Sequence, residues 1–203
     1  MAENLNPQPA NKAVKSLRKE IQRKRVKLTQ QQQITAARLL ANNARRYAPL
    51  MQAKRIASYQ AFQGEISPEL LIKQLNYQSL LLPKIDSFFD CSMHFYDAQQ
   101  TKLKNRYGIW EPAGVGAPTD LRHVDVVLLP LVAFDRSGNR VGMGAGFYDR
   151  ALSFRLSQTR IKRPLLVGLA HALQEVTELS RQFWDVPLDV IITDQELIKP
   201  SLK

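Results

Sequence analysis

The fold of this chain is decided by residues 124–150, which read VDVVLLPLVAFDRSGNRVGMGAGFYDR. The opening residues are Val and Leu apart from one Asp, a composition typical of a parallel strand that is covered on both faces. Pro130 interrupts this strand, and the polar cluster at 135–139 predicts a turn. A glycine-rich loop follows at 142–146, and a helix is expected from there to about Leu156.

The loop at 142–146 has glycine at alternate positions and is flanked by Arg140 and Arg150. Glycine allows tight turns and a close approach of the backbone to a ligand. The backbone N–H groups of such a loop form a natural cradle for phosphate. The spacing matches neither the dinucleotide-binding fingerprint nor the Walker loop. We therefore predict a phosphate site of another kind, and a purely structural turn is the weaker alternative.

Helical and strand patterns alternate along the rest of the chain. Helices are predicted from Lys12, from the N-cap Thr29, from the N-cap Ser67 with Pro68 at its first position, and near 176–183. Strands are predicted at 55–59, 80–82, 92–96, 165–169 and 190–193, and residues 103–118 are expected to be irregular.

This alternation predicts an α/β fold: a three-layer, Rossmann-like open sheet that is mainly parallel, with helices on both faces. Residues 1–11 are expected to form a disordered tail, and residues 12–203 a single domain.

The composition excludes some classes of protein and favours others for this sequence. The net charge is +11, which favours anionic ligands or partners. No apolar run approaches the roughly 20 residues of a membrane span, so no membrane partner is expected. The N-terminus lacks the apolar segment of a signal peptide, and Cys91 is the single cysteine. We therefore expect a cytoplasmic protein without an internal disulfide.

Three carboxylates and one basic segment remain as candidates. Asp149 falls in the first turn of the helix after the loop, where it either complements the helix dipole or binds magnesium beside phosphates. Asp189 lies at the head of a late strand, and Glu65 follows a glycine beyond an early strand. Residues 12–27 are rich in cations but lack the aromatic residues that would favour nucleic-acid binding. No spacing of Ser, His or Cys indicates a protein nucleophile.

Residues 126–135 and 138–150 together resemble the signature of the 5-formyltetrahydrofolate cyclo-ligase family. Other pieces follow in the family's order: Leu17-Arg18, residues 58–66, Glu111-Pro112 and residues 184–193. The resemblance extends over nearly the whole chain from about residue 12.

The resemblance implies an enzyme that uses ATP and Mg²⁺ to close 5-formyltetrahydrofolate to 5,10-methenyltetrahydrofolate, with release of ADP and phosphate. The formyl oxygen would be phosphorylated, and folate N10 would then attack the formyl carbon. Phosphoryl transfer needs positioning and charge neutralisation rather than a protein nucleophile. Arg140 and Glu65 are implied as supporting groups.

The resemblance also implies the site residues. Those for ATP are Lys15, Arg18, Arg140, Val141, Gly142, Met143, Gly144, Ala145, Gly146, Phe147 and Tyr148. Those for the folate are Gln60, Glu65, Tyr107, Met143, Gly144, Ala145, Gly146 and Phe147. Those for magnesium are Asp149 and Asp189. The partners would be small molecules, including a polyglutamylated folate that suits the basic surface, with no nucleic acid; we expect a monomer.

The chain departs from the family's pattern at three positions. Val14 stands where the family often has lysine, with Lys15 beside it. Ala145 replaces a frequent glycine or lysine, and Gln60 replaces a common apolar residue. Two alternatives remain at this point: a basic nucleic-acid-binding protein, and a relative that binds a nucleotide or a folate without cyclising it.

Overall fold

The computed structural model describes residues 9–158 and 163–200. Within these ranges the α-helices are α1 (Pro9–Val26), α2 (Gln30–Ala44), α3 (Ala48–Met51), α4 (Glu69–Ile72) and α5 (Phe147–Ala151). Short 3-10 turns span Leu121–His123, Ser153–Ser157 and Ala172–Gln174. The strands are β1 (Arg55–Ala57), β2 (Ser79–Ser87), β3 (Ser92–Asp97), β4 (Lys102–Lys104), β5 (Trp110–Pro112), β6 (Val126–Pro130), β7 (Ala133–Phe134), β8 (Arg140–Val141), β9 (Leu165–Ala170), β10 (Val190–Thr193) and β11 (Leu197–Ile198).

Seven of these strands form one sheet in the order β11-β10-β9-β6-β1-β2-β3. The five central strands pair in parallel, whereas β3 and β11 pair antiparallel at the two edges. The first four residues of β6 are buried, as its run of Val and Leu predicted. The prediction of an α/β fold with a mainly parallel sheet is therefore confirmed.

The two faces of the sheet pack against different layers. Val126 and Leu128 join a core with the buried side of α2, α3 and α4, because alternate residues of a strand face opposite sides. Val127 and Leu129 pack on the other side against α5, two of the 3-10 turns and the loop before β10. The second layer thus contains mostly short turns, where regular helices were expected.

Helix α1 lies outside these layers, at the end of the sheet. Its apolar residues Leu17 and Ile21 pack against the antiparallel β7–β8 hairpin through Val132 and Val141. Thr29 is the N-cap of α2, as predicted, and it forms a capping box with Gln32. Both α1 and α2 contact the loop at residues 62–65, through Arg25 and Gln33 respectively.

Several local predictions were wrong. Residues 9–11 belong to α1, so only residues 1–8 of the predicted tail lie outside the described residues. Residues 176–183 form no helix, and residues 103–118 contain the β4–β5 hairpin. Pro68, rather than Ser67, is the N-cap of α4, which ends at Ile72 because the chain must turn back into β2. No helix within the described ranges is long and apolar enough to cross a membrane.

Candidate active site

A cavity of about 1680 Å³ opens at the carboxyl end of the parallel strands. Gln60, which follows β1, and Leu131, which follows β6, form part of its wall. The glycine loop and one side of α1 complete the wall. This is the edge at which open α/β sheets bind ligands, because the loops after the strands converge there.

The glycine loop adopts a backbone that other residues would resist. Gly144 has φ +110° and Gly146 has φ +74°, both in the region that side chains rarely adopt. Among the described residues, none accepts a hydrogen bond from a backbone N–H group of residues 142–146. These donors are therefore free to bind an anion in the cavity.

Two arginines brace this loop from opposite sides. Arg18 of α1 donates from Nε to the carbonyl of Gly142 at 2.9 Å. Arg150 of α5 donates from Nη1 to the carbonyl of Ala145 at 2.7 Å. By contrast, Lys15 is exposed and does not line the cavity, so the structure does not bring it to the predicted ATP site. All other residues predicted for ATP line the cavity.

Arg140 and Asp149 form an ion pair inside the cavity. Arg140 Nη2 lies 2.6 Å from Asp149 Oδ1, and the arginine side chain is only 4% exposed. Arg140 Nε is buried and has no hydrogen-bond partner among the described residues. The backbone N–H of Val186 also donates to Asp149 at 3.3 Å. The first turn of α5 places the carboxylate after the glycine loop, and β8 places the arginine before it.

The structure does not bring Asp189, the other residue predicted for magnesium, into the cavity with Asp149. Asp189 Oδ2 accepts from Arg155 Nη2 at 2.6 Å and from the Leu166 backbone N–H at 2.8 Å. Asp189 precedes β10 and so lies at the amino end of the strands, outside the cavity. A different carboxylate that sequence reasoning missed, Asp185, lines the cavity next to Val186.

The opposite wall of the cavity carries Glu65. Its Oε2 accepts from the Phe62 backbone N–H at 3.1 Å. Burial raises the pKa of Glu65 to about 7, although the charge of Arg25 acts against that rise. Tyr59 and Tyr148 face the same carboxyl group, and burial raises the pKa of both, so they stay neutral at physiological pH.

The aromatic side chains of Tyr107 and Phe147 line the cavity, and Phe88 packs against both of them. Phe88 makes edge contacts with both Tyr107 and Phe147, with ring centroids 5.4 and 5.9 Å apart. The remaining residues predicted for the folate, including Gln60 and Tyr107, line the cavity. Sequence reasoning missed Trp110 and Trp184, which also line it and are half exposed. Their place within or beside the family's motifs was the signal that could have identified them, since tryptophan combines a large apolar surface with a polar N–H.

The site has the composition of a small-molecule cavity. One end offers free backbone donors and arginines, and the other offers a buried carboxyl group among aromatic rings. Within the described residues no three His, Cys, Asp or Glu side chains cluster as a metal cage. A divalent cation would therefore depend on one or two carboxylates and on the oxygens of a phosphate ligand.

The sequence matches a known family model over most of its length. The model described as the 5-formyltetrahydrofolate cyclo-ligase family matches residues 10–194. A 5-formyltetrahydrofolate cyclo-ligase of Haemophilus influenzae is 39% identical over 182 residues, which cover 87% of this chain and 95% of the relative. The protein of the same name from Escherichia coli strain K12 is 34% identical over 87% of this chain and 98% of its own length.

Solved structures agree with this match. The NMR structure of Aquifex aeolicus 5,10-methenyltetrahydrofolate synthetase superposes with a TM-score of 0.75 at 28% identity, covering 94% of this chain and 96% of the other. The 5,10-methenyltetrahydrofolate synthetase of Mycoplasma pneumoniae gives a TM-score of 0.67 at 27% identity, covering 89% of this chain and 98% of the other.

Proposed function

Because the chain belongs to the 5-formyltetrahydrofolate cyclo-ligase family, we propose that it converts 5-formyltetrahydrofolate and ATP to 5,10-methenyltetrahydrofolate, ADP and phosphate. The observation that carries this proposal is that one cavity joins the glycine loop to Glu65. A cavity of about 1680 Å³ exceeds the roughly 300–1,000 Å³ typical of a single ligand, so it suits two substrates that must meet.

The chemistry requires activation of the formyl group. Its carbonyl carbon is a poor electrophile, and its oxygen is a poor leaving group. Transfer of the γ-phosphoryl group of ATP to the formyl oxygen corrects both faults. Folate N10 then forms a bond to the formyl carbon, loses its proton, and phosphate leaves with the oxygen. The two substrates must therefore lie with the γ-phosphate against the formyl oxygen.

The glycine loop is suited to the phosphates of ATP. Its free N–H groups offer several donors without side-chain obstruction. Arg18 holds the loop by the carbonyl of Gly142, and a Cβ added to Gly142 would lie 3.8 Å from Arg140 Nη1, so the Arg140 guanidinium lies beside the loop. Both cations offset negative charge as the phosphoryl group moves, and they are already in position before the reaction begins. We retain these residues for ATP and omit Lys15.

Magnesium fits the carboxylates of the cavity. Asp149 and Asp185 both line the cavity, and oxygen ligands from one or two carboxylates are the usual protein share of a magnesium site. When bound, the ion would neutralise charge on the phosphate oxygens. Arg140 holds the Asp149 carboxylate in place, so the side chain is oriented before any ligand arrives.

Glu65 is suited to the pterin ring of the folate. The ring carries adjacent N–H donors, and a carboxylate can accept two of them. Tyr107 and Phe147 line the cavity and offer an aromatic surface for the flat part of the substrate. Gln60 adds a polar group to the same wall. A polyglutamylated folate would extend its acidic tail over the basic surface.

Two further expectations belong to the same proposal. The glycine loop and Glu65 line one cavity of the same chain, so a single chain can hold both substrates, and we expect a monomer as the working unit. A single cysteine supports function in a reducing cytoplasm. The basic segment gives little support to nucleic-acid binding, because Arg18 contacts the glycine loop and Arg25 is buried.

The test is the absorbance of the methenyl product when purified protein is mixed with 5-formyltetrahydrofolate, magnesium and ATP, with ATP omitted in the control. We expect product only with ATP. ATP binding without product would instead indicate a relative that does not cyclise folate. Binding of neither substrate, together with salt-sensitive binding of nucleic acid, would favour the alternative of a nucleic-acid-binding protein.

A further inference from the structure

Arg25 stands apart from the other cations of α1. It lies in the last turn of the helix and is fully buried. Its Nε donates to the carbonyl of Gln63 at 3.0 Å, and its Nη1 donates to the carbonyl of Leu131 at 3.1 Å. Its Nη2 is buried without a partner among the described residues. Burying a guanidinium is unfavourable unless hydrogen bonds or an opposite charge compensate for its lost hydration, and here one of its three nitrogens has no partner among the described residues.

The role of this side chain is indicated by the loop that it holds. Residues 62–65 carry Glu65 into the cavity, and Gln63 and Gly64 have φ values of +48° and +74°. A backbone of this kind persists only where its surroundings enforce it. A Cβ on Gly64 would lie 3.1 Å from the carbonyl oxygen of Arg25 and 3.3 Å from its Cγ. The loop therefore packs directly on the arginine.

Side chains from other elements complete the support. Gln33 of α2 donates from Nε2 to the carbonyl of Gly64 at 3.2 Å. The His171 ring accepts from the Gln174 backbone N–H, so its Nε2 carries the proton and donates to the same carbonyl at 3.2 Å. Gln174 Nε2 donates at 2.7 Å to the carbonyl of Leu131 that also accepts from Arg25. One buried network thus links α1, α2 and the end of β6 to the loop.

Three ionisable side chains act on Glu65, each from a different part of the chain. Arg25 approaches from α1, Tyr59 from the segment after β1, and Tyr148 from α5. Both tyrosines stay neutral because burial raises their pKa, and burial lowers the pKa of His171, a ring close to Arg25. Arg25 is therefore the positive charge that favours the ionised form of Glu65.

We infer that Arg25 is a positioning residue for the folate: its guanidinium holds the backbone of residues 62–65, and its charge keeps the Glu65 carboxylate ionised for the pterin N–H groups. This inference rests on the proposed function for the identity of the ligand. The coupling of Arg25 to Glu65 rests on the geometry of the ligand-free protein.

The first experiment measures that coupling without substrates. The Glu65 carboxyl carbon is titrated by ¹³C NMR in the ligand-free protein, and its signal is assigned by its loss in Glu65→Gln. We expect a midpoint near pH 7 in the wild type. Arg25→Met should raise the midpoint by about one unit, because an opposite charge nearby lowers a carboxyl pKa by roughly that amount or more. An unchanged midpoint in a folded Arg25→Met protein would overturn the electrostatic half of the inference.

The second experiment measures kcat/KM for 5-formyltetrahydrofolate between pH 6 and 9. Arg25→Met should show a several-fold loss at every pH from the missing hydrogen bonds. A one-unit shift adds a further loss of about fivefold at pH 7, which disappears towards pH 9. KM for ATP should not change. Adding Arg25→Met to Glu65→Gln should leave the pH profile of the single Glu65→Gln variant unchanged. A similar loss at every pH would show a structural role only.

Arg25→Lys separates the charge from the hydrogen bonds, and it also serves if Arg25→Met fails to fold. Lysine keeps the charge but cannot form the two-pronged contact to Gln63 and Leu131. We expect a Glu65 midpoint close to that of the wild type and a folate KM raised several-fold at all pH values. A wild-type folate KM in Arg25→Lys would overturn the positioning half.

Arg23→Met is the matched control, because Arg23 is an exposed cation in the same turn of α1. It should leave the Glu65 midpoint and both KM values unchanged. If the wild type forms no product, the proposed function fails, and the NMR titration still decides whether Arg25 controls Glu65. If product forms but the midpoint does not move in Arg25→Met, the proposed function stands and the electrostatic half of this inference fails.

Discussion

Two Arg–Asp pairs of this molecule have nearly the same local geometry and different surroundings. Arg140 and Asp149 are 2.6 Å apart, with side chains 4% and 24% exposed. Arg155 and Asp189 are also 2.6 Å apart, with side chains 3% and 22% exposed. The first pair faces the large cavity, and the second joins β9 to β10 through the Leu166 N–H at the other end of the sheet.

An ion pair of this kind does not by itself indicate function. Both carboxylates occupy recognisable positions of the family motif, and both have an arginine partner. Only Asp149 also lies beside a loop whose backbone donors are free. Loops after parallel strands meet at the carboxyl edge, whereas the opposite edge serves mainly stability. We therefore expect that breaking the first pair lowers turnover, whereas breaking the second leaves turnover almost unchanged.

The largest expected effect is on turnover in Asp149→Asn. Loss of the carboxylate removes the proposed ligand for magnesium and should lower kcat by about 100-fold or more, in the range observed when preorganised charge stabilisation is removed. The protein should remain folded, since asparagine keeps the shape and can still accept from Val186 N–H, but the free energy of unfolding should fall by about 2 kcal/mol because the buried Arg140 loses its counter-charge. Steady-state kinetics with circular dichroism check this prediction. Normal turnover of Asp149→Asn at limiting magnesium would show that Asp149 does not bind the ion.

Asp189→Asn should lower stability to a similar extent but leave turnover almost unchanged. It leaves the buried Arg155 without a counter-charge, which should lower the free energy of unfolding by about 2 kcal/mol, below the full effect for a completely buried pair. Turnover per folded molecule should stay within about twofold of the wild type. Urea unfolding and kinetics on the same preparation measure both quantities. Reduced turnover with a normal free energy of unfolding would show that Asp189 acts in the catalytic site.

Gly144→Val sharpens the comparison on the cavity side. Gly144 has a positive φ, and a Cβ added there would lie 3.5 Å from the Arg18 guanidinium, so a branched side chain has poor room. We expect ATP affinity to fall by about tenfold, measured by calorimetry. Gly116→Val is the control, because Gly116 also has a positive φ but a Cβ there would meet no atom within 4 Å. If Gly144→Val and Gly116→Val lose ATP affinity equally, backbone strain explains the loss, and Gly144 is not needed for binding the phosphates.

The smallest effect is expected for Lys15→Ala. Lys15 is exposed and outside the cavity, so KM for ATP should change by less than about twofold. Arg18→Ala, three residues further along α1, should raise KM for ATP more than Lys15→Ala does, because the contact of Arg18 to the Gly142 carbonyl is lost. Measuring KM for ATP in both variants under the same conditions checks this prediction. A larger effect from Lys15 would show that α1 rearranges when ATP binds.

Much of the site could be predicted from the sequence because it is local. The strand β6, the turn, the glycine loop and α5 follow one another without interruption, so residue order alone places Arg140, Gly144 and Asp149 together. The 103–118 hairpin and the missing helix at 176–183 were not predictable in this way. Short strands and turns have weak periodicity, and their conformations depend on packing against distant residues.

Residue types and spacing thus determined the parallel sheet, the glycine loop and the family to which the chain belongs. Tertiary structure decided which charges work in the cavity: it placed Asp189 at the far edge, brought Asp185 to the wall, turned Lys15 outward and buried Arg25 beneath Glu65. The physical reason is that a charge takes its role from its burial and its neighbours. For these residues the neighbours are distant in sequence, as with Arg25 and Leu131, and only the folded chain brings them together.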